Sequence, residues 1–137
     1  MRLWPLSILP QLPRQQLLGQ HRECCALRGK GWGRKHATVD YVFKHPYYWL
    51  YLYHRQVMFE MMNRQMRPDE KWFLHGYRGK TIGNDNSDFT KSASVLVIHD
   101  DSSAIYPEHD KQYLRGCIAN LARKGVKITL PQKEKAA

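Results

Sequence analysis

Pro13-Arg-Gln-Gln-Leu-Leu-Gly-Gln-His-Arg-Glu-Cys-Cys-Ala-Leu-Arg28 is the stretch on which the fold turns. Pro13 suits the first turn of a helix, where its missing N–H is not needed. Leu17, Leu18, His21, Cys24 and Cys25 recur at helical spacing and define a core face. Gln16, Gly19, Gln20 and Glu23 fall on the adjoining stripe at steps of three or four. Gly19 lies one turn before Glu23 and has no side chain, which leaves room for another backbone, or a substrate, beside the carboxylate. The helix should stop by Gly29.

Directly after it, Gly29-Lys-Gly-Trp-Gly-Arg-Lys-His36 alternates glycine with Lys30, Trp32, Arg34 and Lys35. It lacks the order of a P-loop and the strand-to-helix frame of a dinucleotide site. Two readings stand: a flexible basic loop that tracks a DNA backbone, and a solvated turn. Before the helix, residues 1–12 form an apolar arm kinked by Pro5 and Pro10. Pro46 opens a second helix to about Arg64, with Leu50, Tyr53, His54, Val57, Met58 and Met61 as its apolar stripe. On that stripe His54 is expected to be a satisfied core histidine. Of the aromatic string from Tyr47 to Tyr53, only Tyr48 or Tyr51 is left to reach outward for base stacking.

Residues 65–105 look irregular. Arg64, Arg67, Lys71, Arg78 and Lys80 make the first part basic, and Gly83–Asp88 is turn-rich. Ser94–His99 reads as a strand or a buried connector. Pro107 opens a third helix with Tyr113, Leu114, Cys117, Ile118 and Leu121 on one face, and Gly125 caps it. Met58, Met61, Arg64 and Met66 echo Ile118, Leu121, Lys124 and Val126 at one fixed offset, a faint repeat that two amphipathic helices can also produce by chance. The expectation is a compact all-α single domain of about three main helices with long irregular connections, spanning 1–129, and a frayed tail over 130–137.

The chain has 137 residues, enough to bury a core without a staple. Lys and Arg number 22 against 12 for Asp and Glu, a net charge of +10. Such an excess favours an anionic partner, nucleic acid being the common one, although a soluble protein can simply be basic. Cys24, Cys25 and Cys117 form no C-x-x-C pair, and the histidines show no zinc spacing, so neither a disulfide framework nor a metal site is expected. Prolines break the apolar run of Met1–Leu12, no small-residue cleavage site follows, and no stretch approaches the roughly 20 apolar residues of a membrane span. These features point to a cytoplasmic monomer that keeps its N-terminus.

An α-amino group titrates near 7.7–8.0, far below lysine's pKa of about 10.4. Part of it is uncharged at neutral pH, which makes it a natural nucleophile toward a sugar carbon through a Schiff base. The long side chain of Arg2 is expected to keep Met1 in place. Glu23 would then move the protons of sugar opening and elimination. The ordinary role for a helix acid is to pair with a cation such as Arg22 or Arg28.

Arg2, then Gln15, Leu17, Arg22 and Glu23 in the order Gln-x-Leu-x-x-x-x-Arg-Glu, resemble the N-terminal helix of the pyrimidine-dimer DNA glycosylases of the phage endonuclease V type. The N-terminal Met-Arg-Leu-Trp4, the helix through Arg28, Lys-His36 with Thr-Val-Asp-Tyr-Val-Phe43, Tyr77-Arg-Gly-Lys80 and Ile105-Tyr-Pro-Glu-His-Asp110 resemble a bacterial branch related to those enzymes. The likeness to that branch covers about residues 2–82 and 104–129. The resemblance implies a compact all-α enzyme that removes a damaged base and then nicks the strand as an apurinic/apyrimidinic lyase, with no cofactor. It carries the nucleophilic amine to Met1 and the essential glutamate to Glu23, and it gives Arg2, Gln15 and Arg22 the task of holding double-stranded DNA. Lys30, Arg34 and Lys35 of the glycine-rich loop, with Arg78 and Lys80, are further candidate DNA contacts.

The chain departs from the phage pattern at several points. The family's mature chain begins with threonine, whereas this one is expected to keep Met1. Gln16 stands where the phage type has histidine, Ala26 replaces a phosphate-holding arginine for which Arg28 could substitute, and the aromatic C-terminal tail is missing. Gln65-Met66 stand where the branch has glycine and an aromatic residue, and the 84–103 segment is idiosyncratic. The alternative reading is a non-catalytic basic helical protein that binds DNA or RNA, and a third is a relative of this fold whose partner is another protein.

Overall fold

A computed structural model describes residues 2–34, 38–85 and 105–129. Met1, Lys35, the Ser94–His99 stretch and the 130–137 tail lie outside the described residues. The fold is all-α and compact. Three helices carry it: α1 (Arg14–Arg28), α2 (Tyr47–Asn63) and α3 (Lys111–Arg123). Short 3-10 turns at Leu6–Gln11, Asp40–Lys44 and Glu70–Phe73 bridge the connections. No strand occurs among the described residues, where an isolated bridge joins Tyr77 and Asn84. No described helix is long and apolar enough to cross a membrane.

The arm is core rather than overhang. Leu3, Trp4, Ile8, Leu9 and Leu12 are buried, because the 3-10 turn folds the proline-kinked apolar run back onto α2. Pro13 and Pro46 stand immediately before α1 and α2, as the sequence suggests. The whole expected stripe of α2, Leu50, Tyr53, His54, Val57, Met58 and Met61, is buried against α1 and the arm. Tyr51 is buried too, so of the two tyrosines left to reach outward only Tyr48 is partly exposed. The third helix starts later than its proline implies: Asp110 is the cap, its side chain accepting from Tyr113 N at 2.8 Å, and Pro107 sits in the preceding turn. A side-chain oxygen satisfies an otherwise orphaned first-turn N–H, which the rigid proline cannot do.

The faint repeat has a geometric counterpart at the helix ends. Met66 N donates to Met61 O and Val126 N to Leu121 O, both at 2.9 Å. Between them, Gln65 and Gly125 occupy the same left-handed cap position, with φ of +65° and +83°. A glycine adopts that conformation freely; Gln65 does so against a steric penalty on its Cβ.

The loop after α1 turns tightly at Gly31. Gly31 N donates to Ala26 O at 2.9 Å, and a Cβ on Gly31 would stand 2.8 Å from that same carbonyl oxygen. The glycine lets the chain double back onto the helix end. Trp32 then packs edge-on against Phe43 and Tyr47.

Arg28 is the residue the sequence reading misplaced. It is 0% exposed and takes no part in gripping a phosphate. Its Nε donates to Tyr47 OH at 3.1 Å; Nη1 donates to His54 Nδ1 and Trp72 O, both at 2.8 Å; Nη2 donates to Leu74 O at 2.9 Å and Tyr77 O at 3.2 Å. The guanidinium carbon lies 5.2 Å from the Tyr51 ring centre and 5.0 Å from that of Trp72.

Two measurements check this account. Arg28→Lys keeps the charge but not the five-donor fork, and should lower the unfolding free energy by about 3–5 kcal/mol in urea titrations, the range for breaking a buried charge network. Gln65→Gly should raise it by about 0.5–1 kcal/mol, because the left-handed cap loses its steric penalty while the unfolded chain gains some freedom.

Candidate functional site

A latch between α1 and α2 holds residues 2–4. Gln20, on the second turn of α1, accepts from Trp4 N through Oε1 at 2.6 Å and donates to Arg2 O through Nε2 at 3.1 Å. Tyr53 OH lies 2.6 Å from Trp4 O and 2.7 Å from Gln20 Oε1, so one hydroxyl proton serves two acceptors. From α3, Tyr113 OH donates to Leu3 O at 2.7 Å. Residues 2–4 are thus held by side chains from all three helices. Glu23 follows one turn after Gln20 and is 6% exposed, so it is no surface acid.

A cleft of about 280 Å³ opens beside this latch, with Arg2, Trp4, Gln16 and Gly19 on one side and Asn120 and Lys124 on the other. The Arg2 guanidinium and the Lys124 ammonium both lie over the Trp4 ring, at 5.9 and 5.8 Å, and Arg2 Nη1 reaches Cys117 Sγ at 3.8 Å. Asn120 Oδ1 is buried with no hydrogen-bond partner among the described residues. Among the described residues, a Cβ on Gly19 would meet only the Arg22 guanidinium, at 4.0 Å. Trp4, Gln20, Asn120 and Lys124 were not singled out for this site from the sequence. Gln20 was at least visible there, one step along the stripe that holds Glu23.

At the other end of α1 a second cleft, about 540 Å³, collects Lys30, Arg34, Arg78 and Lys80 around Ala26 and Trp72. These cations come from two loops far apart in sequence. The second loop is a tight turn in which Arg78 N donates to Gly83 O at 2.8 Å, with Gly79 and Gly83 at positive φ. Lys30, Arg34 and Lys80 are exposed, whereas Arg78 is 7% exposed with its guanidinium 4.0 Å from the Tyr47 ring centre. Gln15 and Arg22 are exposed on α1 and line neither cleft. Arg2 therefore sits in one cleft and the loop cations line the other.

Behind the second cleft, His21, Cys25 and His54 bring two imidazoles and a thiol within 4.8 Å of one another, a ligand set for a metal ion. Hydrogen bonding opposes that use. Arg28 can only donate, so His54 Nδ1 accepts, and neutral His54 must carry its proton on Nε2. That Nε2–H donates to His21 Nδ1 at 2.8 Å and is not free to ligate a cation. Burial, and then Arg28 and His21, push the His54 pKa well below its ordinary value. Burial raises the Cys25 thiol to about 12, which leaves it a weak nucleophile. A second buried histidine, His109, lies against Tyr41 OH and stacks on the Tyr113 ring at 4.7 Å; burial lowers it to about 4.

A family model described as pyrimidine dimer DNA glycosylase matches residues 1–74, which hold the arm, α1, the glycine-rich loop and α2. No curated protein and no solved structure matches the chain.

The buried histidines set the acid limit of the fold. In the unfolded chain they take up protons near pH 6.5, whereas the folded pKa values are lower, so the unfolded state binds more protons and stability falls as pH drops below about 6.5. The expected loss for His54 and His109 is roughly 1.4 kcal/mol per pH unit each, down to the folded pKa. Urea midpoints measured from pH 7.5 to 4.5 check the direction, and His109→Phe should flatten the curve.

Proposed function

The chain belongs to the pyrimidine dimer DNA glycosylase family, and with a glycosylase-type role in DNA repair as the premise we propose that it excises the damaged base and then cleaves the strand as an apurinic/apyrimidinic lyase. The Met1 amine is the nucleophile. Its lone pair attacks C1′ of the deoxyribose as the glycosidic bond breaks, and the departing base takes a proton. Loss of a proton from nitrogen and opening of the sugar ring give the Schiff base. Removal of a C2′ proton then expels the 3′ phosphate, and water hydrolyses the imine to return the amine. Glu23 carries the protons of ring opening and elimination, a role open to a carboxylate screened from solvent.

The observation that carries this reading is the docking of residues 2–4 on the turn of α1 just before Glu23. Covalent geometry keeps the Cα of the first residue within about 3.8 Å of that of Arg2. Gly19, which no other described residue crowds, leaves space for a sugar-phosphate backbone along the same face. Arg2, Gln15 and Arg22 hold the strand near the reacting sugar, and Lys30, Arg34, Lys35 and Lys80 grip phosphates farther along the duplex. Arg78 contributes mainly field from its largely buried position. With a net charge of +10, phosphate contacts should dominate affinity and make it strongly salt-dependent.

Borohydride trapping on duplex DNA with an abasic site, then on ultraviolet-irradiated DNA, tests the chemistry. An adduct mapped to Met1 and abolished by blocking the terminus is expected. Glu23→Gln should slow turnover by about 10²–10⁴-fold while DNA binding persists. No adduct on either substrate, with salt-sensitive binding intact, would instead make the protein a non-catalytic DNA binder.

A further inference from the structure

We propose that Gln20 is a positioning residue for the nucleophile, with Tyr53 as its support: together they set the register of residues 2–4 on α1 and so determine where the N-terminal amine stands relative to Glu23. This rests on the reading of Met1 as nucleophile. The hydrogen bonds leave Gln20 one orientation. Trp4 N–H can only donate and the Arg2 carbonyl can only accept, so Oε1 must face the first and Nε2 the second. A flipped amide would set donor against donor and acceptor against acceptor.

The latch also has a mechanical consequence. Gln20 is 2% exposed and Tyr53 0%, so both act from within the fold, Gln20 at the edge of the smaller cleft. Their partners are the backbone groups of Arg2 and Trp4, next to the terminus in sequence. A terminus is the part of a chain most prone to fray, and a nucleophile misplaced by about 1 Å can lose on the order of 10²-fold in rate. A buried amide joined to both sides of Leu3, with a tyrosine hydroxyl from α2 holding it, removes that freedom. Two further contacts come from α3, Tyr113 OH on Leu3 O and Cys117 Sγ on Arg2 Nη1, and limit how far the arm can lift when the latch is cut.

Two variants separate this role from general stabilisation. Gln20→Glu keeps both acceptor contacts but turns a charged acceptor oxygen, in place of the donor, toward the Arg2 carbonyl. Tyr53→Phe keeps the ring and leaves the Trp4 carbonyl without its donor. Each should lower the maximal single-turnover rate of borohydride trapping on abasic duplex at least about tenfold, while the DNA concentration giving half-maximal rate moves less than twofold. A purely structural role would weaken binding and rate together. Wild-type trapping at Met1 with unchanged maximal rates in both variants would overturn the inference, and so would a parallel rise in half-saturation. Absence of a Met1 adduct in the wild-type protein would overturn the nucleophile reading itself and this inference with it.

Discussion

A positive charge buried with no carboxylate partner among the described residues holds this fold together. Taking a guanidinium out of water costs several kcal/mol, and only full hydrogen bonding in a matched geometry offsets that loss. Arg28 meets the condition with five donors and five acceptors, three of them backbone carbonyls from residues 72–77, and with two aromatic rings flanking its cationic carbon. It is the last residue of α1, where the helix dipole favours a cation. Through it, the end of α1, the buried side of α2 and an otherwise irregular loop become one rigid unit.

The surface follows from that unit. Residues 72–77 lead straight into the turn that presents Arg78 and Lys80, so the anchored carbonyls of Trp72, Leu74 and Tyr77 fix one wall of the larger cleft. The opposite wall comes from the doubled-back loop after α1, where Gly31 allows backbone contact with Ala26. At the other end of α1 a second buried polar side chain does the comparable task with fewer bonds: Gln20 fastens the arm, and Tyr53 of α2 fastens Gln20. Helix α2 thus supports both clefts through its polar groups, Tyr47 and His54 on the side of the larger cleft and Tyr53 on the side of the smaller. Its apolar stripe alone would place α1 beside it without fixing what α1 presents.

Much of the helical frame was legible in the sequence. Pro13, Pro46, Gly29 and Gly125 mark helix ends by local backbone preference, and the buried residues of α2 are those its spacing picks out. The cap equivalence of Gln65 and Gly125 was half visible, since the repeat around them could be read although the left-handed backbone at a glutamine could not. The candidate site was less legible. Glu23 and Gly19 stand out on their stripe, but Lys124 and Asn120 belong to a helix whose approach to the arm depends on packing, and nothing in their local pattern marks them.

By itself the sequence determined what depends on neighbours along the chain: three helices and their approximate ends, the apolar faces, the basic loops, and the place of Glu23 one turn beyond Gly19. Only the tertiary structure decided what each polar residue is for. Arg28 and Arg22 look alike in sequence, six residues apart on one helix, yet one is sealed in the core and the other exposed. Gln15 and Gln20 diverge in the same way. The reason is that a buried polar group is settled by its partners, and the partners of Arg28 and Gln20 lie on other elements, brought near only when the arm, α2 and the 72–77 loop close around α1.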